Sequence, residues 1–208
     1  MLIIGLDLAG SELRPTGFCK LSVKGSVSEA TTKVLYSNSE ILDELLALEP
    51  KPGVVSIDAP LSIPKGRRSI SDRRGPHFRA CDLELMSMHI KFFPITLGPM
   101  RMLTKRGMLL KEKLEKLGLR VIESFPGGAQ DLLGIPRKQE GLARLRRELV
   151  RMGIEGIGVH ATGDELDAAT CALIGKYYLE GNYISLGNRE EGLLIMPMPK
   201  PPRASTKG

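Results

Sequence analysis

The chain has no tryptophan, only three cysteines and three histidines, and just 4% aromatic residues in 208 positions. Each scarcity removes a class of protein. Cys19, Cys81 and Cys171 are odd in number, widely spaced and without a C-x-x-C pair. That argues against a disulfide framework or a thiolate zinc site and fits a reducing, cytoplasmic setting. So few aromatic rings cannot build an extended base-stacking platform. The apolar runs are far shorter than the roughly 20 residues of a membrane helix, so no membrane partner is expected. The N-terminus opens directly on a strand-like run, without a basic region and a small-residue cleavage site, which predicts no secretory leader.

What the chain does contain is an ordinary globular mixture, 42% hydrophobic and 26% charged, long enough for one sizeable core. Lysine and arginine total 30 against 24 acids, a net charge of +6, which favours a polyanionic partner without naming one. Residues 2–8 read as a central strand, apolar on both faces. Residues 16–24 and 31–37 continue it as an antiparallel meander. Ser37 and Glu40 have capping-box spacing, so a helix follows, closed by Pro50 and Pro52. Residues 53–58 are then a strand after a helix, the pattern of a parallel pair. Further helices are expected near 80–91 and over 101–117, 138–152 and 164–180, with a strand at 119–125 and a last extended stretch, "GLLIMP". The expectation is one domain over 1–196, interrupted by a basic insertion at 60–100, and a Pro-rich flexible tail at 197–208.

Three of these strands carry an acid where the run should be dry: Asp7 in "LIIGLDLAG", Asp58 in "VVSIDAP" and Glu123 in "LRVIESFP". A carboxylate leaving water costs several kcal/mol unless it is paired. Asp58 and Glu123 are each followed closely by a proline that ends the strand, so both sit at a carboxyl edge, where ligands of parallel sheets gather. In "TGDELDAATCAL", Asp164 and Asp167 are three apart and share a helix face. Ala168, Ala169, Cys171 and Ala172 let that helix press on the sheet. Carboxylates gathered at one point are tolerable when a divalent cation neutralises them, and oxygen-only ligation suits Mg²⁺ or Mn²⁺. Two such ions roughly 3.5–4 Å apart support phosphodiester hydrolysis. Asp7, Asp58, Glu123, Asp164 and Asp167 are therefore the candidate ligands. Capping, the helix dipole and ion pairing are the plain alternatives for each acid taken singly.

"GLDLAGSELRPTG", "SIDAPLSIP", "RACDLEL", "RMLTKRGMLLKEKL", "VIESFP", "LLGIP" and "DELDAATCALIGKYY" together resemble the family catalogued as domain of unknown function 429. The motifs run in order from Gly5 to about Pro197. The resemblance implies an RNase H-like fold: three antiparallel strands, then parallel strands, flanked by helices, with an insertion after the fourth strand. It also implies a metal-dependent nuclease. The Asp164-x-x-Asp167 pair is closer to the RuvC-like resolvase branch than to RNase H itself. Glu123 resembles the corresponding acid of the YqgF-like resolvases.

The segment "KGRRSISDRRGPHFR" holds Lys65, Arg67, Arg68, Arg73, Arg74 and Arg79 against one acid, Asp72, directly after the Asp58 strand. These six are the candidate phosphate contacts, a backbone-led mode with weak sequence specificity; a solvated loop is the alternative. Arg144, Arg147 and Arg151 read mainly as a solvent-facing helix side. His160, four residues before Asp164, is a candidate proton shuttle, against a plain surface histidine. Two other classes compete. One is an ATP-binding phosphotransferase of the actin and sugar-kinase kind, for which "DLAGS" resembles a first phosphate loop but "APLSIP" lacks the second. The other is a nucleic-acid-binding module without turnover.

Overall fold

In a computed structural model the described residues are 1–25 and 27–199. The expected tail lies outside them from residue 200 onward, as does Ser26. An eight-stranded sheet organises the chain, in the order β6-β3-β2-β1-β4-β5-β8-β7. β1 (Leu2–Asp7), β2 (Thr16–Lys24) and β3 (Val27–Leu35) form the antiparallel meander. β4 (Val54–Asp58) lies parallel to β1, and β5 (Val121–Ser124) parallel to β4. β6 (Ile154–Glu155) extends the β3 edge, while the hairpin β7 (Tyr183–Asn188) and β8 (Gly192–Pro197) completes the β5 side. The mixed α/β sheet read from the sequence is thus present. β6, β7 and a short helix, α4 (Pro126–Leu133), are additions to that reading.

Two cores form because the sheet is covered on both faces. On one face, α1 (Asn38–Leu46) and α3 (Gly98–Lys116) bury Ile41, Leu45, Leu110 and Leu114 against Ile4, Leu6, Val55 and Ile57. On the other, α5 (Leu142–Arg151) and α6 (Gly163–Glu180) bury Leu145, Leu149 and Leu173 against Ile3, Cys19, Leu21 and Val54. Each fully buried Leu or Ile contributes roughly 1.5–3 kcal/mol of transfer free energy. The alternation of Ile3, Ile4 and Leu6 between the two clusters explains why β1 reads as apolar on both faces. The helix starts are set locally: Ser37–Glu40 and Thr162–Glu165 are reciprocal capping boxes, as their spacing predicts.

α6 reaches the sheet more closely than side chains would allow. A Cβ on Gly5 would stand 2.0 Å from the Ala168 carbonyl oxygen, and one on Gly17 would stand 1.9 Å from that of Asp164. Glycines in the strands therefore meet the main chain of α6 directly, at Ala168 and Ala172 for Gly5 and at Asp164 for Gly17, which brings the first turns of α6 to the carboxyl end of β1.

The insertion is built around α2 (Ala80–Ser87) and a third small core of Cys81, Leu85, Ile90, Leu186, Leu194 and Met196. Among the described residues, no helix is long and apolar enough to cross a membrane.

Candidate active site

Register decides which acids meet. Asp7 and Asp58 are direct partners across the parallel β1–β4 pair. In β5 the partner of Asp58 is Ser124, while Glu123 lies beside Ile57. Because successive strand residues face opposite ways, Asp7, Asp58 and Ser124 point to the α6 side, and Glu123 points to the other. Asp164 and Asp167 enter the α6 side from the first turns of that helix.

The centre of this group is a residue that sequence pattern does not single out. Lys138, in a 3-10 turn (Lys138–Glu140), places its Nζ 3.3 Å from Asp7 Oδ2, 3.2 Å from Asp164 Oδ1 and 2.8 Å from Asp167 Oδ2. One ammonium thus gathers three carboxylates. Gln130 of α4 donates from Nε2 to Asp167 Oδ1 at 2.8 Å and to Thr170 Oγ1 at 3.1 Å, which fixes the Asp167 rotamer. The Asp58 carboxylate has no hydrogen-bond or ion-pair partner among the described residues.

The charge balance is negative. Burial pushes the Asp7 pKa from 3.8 up to about 7; Lys138 pulls it down, but Asp167 and Asp164 push it up again. Burial, then Asp7 and Asp167, raise Asp58 well above the usual carboxylate range. Burial opposes the charge on Lys138, yet Asp7 and Asp167 outweigh it and hold the ammonium above its ordinary pKa. Three acids therefore share one cation with a fourth unpaired beside them, and additional positive charge would stabilise the group. Among the described residues, no three His, Cys, Asp or Glu side chains stand together as a ready-made metal cage. The donor chemistry nonetheless fits a hard divalent ion. The oxygens are carboxylate, they are drawn to a single point by an ammonium, and Asp58 beside them is uncommitted.

Glu123 does not join this cluster. Arg79 Nη1 donates to it at 2.8 Å and the Leu61 amide at 2.7 Å. Arg79 also binds Asp82 through Nη2 at 2.9 Å, and all three residues are buried. Burial disfavours the Arg79 charge, but Glu123 and Asp82 outweigh it. The network fastens the insertion to β5. Arg79 is therefore no exposed phosphate contact. Arg67 is also buried, and its guanidinium donates to the carbonyls of Asp72, Pro76 and Gly75, so it shapes the basic loop from within. Arg68, Arg73 and Arg74 remain exposed around a small surface hollow, while Lys65 pairs with Glu190 at 2.9 Å on the surface. His160 sits in an exposed turn, and no hydrogen bond or ion pair joins it to the aspartates among the described residues.

A cleft of about 700 Å³ opens beside Asp58, Asp167 and Lys138. Phe92, Phe93 and Phe125 line it, with Lys91 and Arg137 also at its wall. The loop after β1 is held by Arg106 of α3, which donates to the carbonyls of Ala9, Ser11 and Tyr36 and to Asn38 Oδ1.

Residues 13–192 match the model of the family described as Protein of unknown function (DUF429), and the chain belongs to that family. Among solved structures it is similar to RuvC of Thermus thermophilus in complex with a Holliday junction substrate, with a TM-score of 0.50 and 14% identity over 87% of this chain and 96% of that one. A second Thermus thermophilus RuvC structure gives the same TM-score and identity, with 97% of that chain covered. The fold is thus RNase H-like. No curated protein matches the chain by sequence.

Proposed function

We propose that this protein is a metal-dependent nuclease that hydrolyses phosphodiester bonds. The observation that carries the reading is the convergence of Asp7, Asp164 and Asp167 on one ammonium, with Asp58 in register alongside. Three carboxylates around one ammonium, with a fourth unpaired beside them, are held at a cost, as the raised pKa values of Asp7 and Asp58 indicate. Asp7, Asp58 and Asp167 would hold Mg²⁺ or Mn²⁺, with Asp164 completing the set. Bound there, such ions supply Lewis acidity toward the phosphate and lower the pKa of an attacking water.

The remaining work falls to the chain itself. With divalent ions at the aspartates, Lys138 would turn to a phosphate oxygen, where its charge would offset the charge that develops in hydrolysis. Gln130 keeps Asp167 oriented. Asp58 offers an unpaired carboxylate beside Asp7. Arg68, Arg73 and Arg74 present exposed charge for backbone phosphates, which steers a polyanion toward the site without reading its sequence. RuvC's complex with a Holliday junction makes branched DNA one substrate to test. The deciding experiment incubates wild type and Asp7→Asn with RNA, single-stranded DNA, duplex and four-way junctions in Mn²⁺. Cleavage by the wild type alone is expected. No cleavage of any substrate, together with ATP hydrolysis, would favour the phosphotransferase alternative.

A further inference from the structure

The cleft beside Asp58 and Asp167 is larger than a scissile phosphate and its ions require. Its volume of about 700 Å³ lies in the range of sites that enclose one small organic ligand, roughly 300–1,000 Å³. The chain has only five phenylalanines, yet Phe92, Phe93 and Phe125 all line this one cleft. Phe93 is 71% exposed. An aromatic ring left in water at the mouth of an apolar cleft marks a contact surface more than a core.

The polar groups are arranged around that wall. At one end stand Asp58, Asp167 and Lys138. At the rim, the Arg137 guanidinium lies 5.7 Å from the centroid of the Phe125 ring and is held by Asp131 at 2.6 Å. Inside, Ser124 is 2% exposed and its hydroxyl lies beside the buried Cys171 thiol, so it closes the floor of the cleft and offers no free polar group there. Aromatic rings along one cleft, one of them exposed, and cations beside the proposed phosphate site match one chemistry: a planar heterocycle joined to a phosphate.

We propose that this cleft takes a single unpaired nucleobase of the nucleic acid whose phosphate lies at the aspartates. The proposal rests on the nucleic-acid part of the proposed function and sharpens it to a substrate class. A base in a continuous duplex is stacked and paired, so its faces are closed to the phenylalanine wall. Enzymes that need such a base extrude it, at least cost where it is already unpaired. Single strands, bulges and junction crossovers satisfy the cleft; a continuous duplex does not. Three rings serve one base, which agrees with a chain too poor in aromatics for an extended platform.

The test measures binding in chelator, where cleavage cannot contribute. Probes are a dye-labelled continuous DNA duplex, the same duplex with one bulged 2-aminopurine, a dye-labelled single strand, and free adenosine monophosphate as an unlabelled competitor. Wild type is expected to bind the bulged and single-stranded probes more tightly than the duplex, and to change the 2-aminopurine emission. Phe93→Ala, an exposed position whose fold is checked by melting, should weaken both by about fivefold or more, the low end of one stacked base, while duplex affinity stays within about twofold of wild type by the same reckoning. Equal wild-type affinity for bulge and duplex would overturn the proposal. So would binding of no probe, an equal loss for every probe in Phe93→Ala, or free adenosine monophosphate bound as tightly as the bulged strand. Discrimination without cleavage in Mn²⁺ would keep the cleft and remove the nuclease. Cleavage of duplex and bulge alike, indifferent to Phe93, would do the reverse.

Discussion

Asp7→Asn should make the metal-free protein more stable, although it removes an ion-pair partner of Lys138. The reason is the net balance at that carboxylate. A tenfold change in proton affinity is worth about 1.4 kcal/mol. A pKa of about 7 in place of 3.8 means that the ionised form is disfavoured in the fold by up to roughly 4 kcal/mol, with the attraction of Lys138 already included. The sign follows from linkage. Below pH 3.8 Asp7 is protonated in both folded and unfolded chains and costs nothing. As pH rises toward about 7 the unfolded chain releases the proton first, so the wild type loses stability through that window and levels off above it. Asparagine carries no proton to lose. Its advantage in urea denaturation should be about 1–2 kcal/mol near pH 5 and roughly 2–4 kcal/mol near pH 8. For a chain of this size that is a rise in melting temperature of roughly 5–15 °C at the higher pH. Mn²⁺ should close the gap by stabilising the wild type alone. If Asp7→Asn is no more stable than wild type near pH 8 in chelator, or if the gap does not move with pH, the site is not starved of positive charge.

Lys138→Met should destabilise the metal-free protein by roughly 1–3 kcal/mol, less than a fully buried pair would cost because the residue is partly exposed. It should also raise Mn²⁺ affinity in titration calorimetry, since the competing ammonium is gone; unchanged affinity would show that the two cations do not share a place. Arg79→Met should cost about 3–5 kcal/mol in urea denaturation, leaving Glu123 and Asp82 buried without a cation, while the salt dependence of nucleic-acid binding stays put. Replacing Arg68, Arg73 and Arg74 together by alanine should do the opposite. The melting temperature should hold, and the slope of log affinity against log salt should flatten by about 0.9 for each lost contact to a duplex phosphate.

The strand acids Asp7 and Asp58 were legible because a carboxylate in a dry run demands a partner or a ligand to offset its lost hydration. The small residues of α6 likewise announced a close approach, though their counterparts Gly5 and Gly17 gave no signal of their own. The side to which Glu123 points is not legible in the sequence: its strand and its edge position are, but only pairing shows that Ser124, not Glu123, lies across from Asp58, and a shift of one residue turns a side chain to the other face. Arg67 and Arg79 were counted with their basic neighbours because sequence displays charge and not burial. Lys138 had no pattern around it at all; its role comes from a turn 131 positions away from Asp7. The three phenylalanines of the cleft are scattered over 92–125, so low aromatic content hid their meeting.

The glycine contacts under α6 have a consequence for how such a site can change. Where helix and sheet meet through side chains, a larger or smaller residue lets the two slide, and the distance between their acids drifts with it. Here the spacing is gauged by main chain against main chain at Gly5 and Gly17, and nothing in that contact can be trimmed. Asp7 and the pair Asp164 and Asp167 are held as if by a fixed calliper. New preferences for a ligand must then be written into the surrounding walls, in the loops of residues 60–100 that carry Phe92 and Phe93, where sequence can vary without moving the jaws.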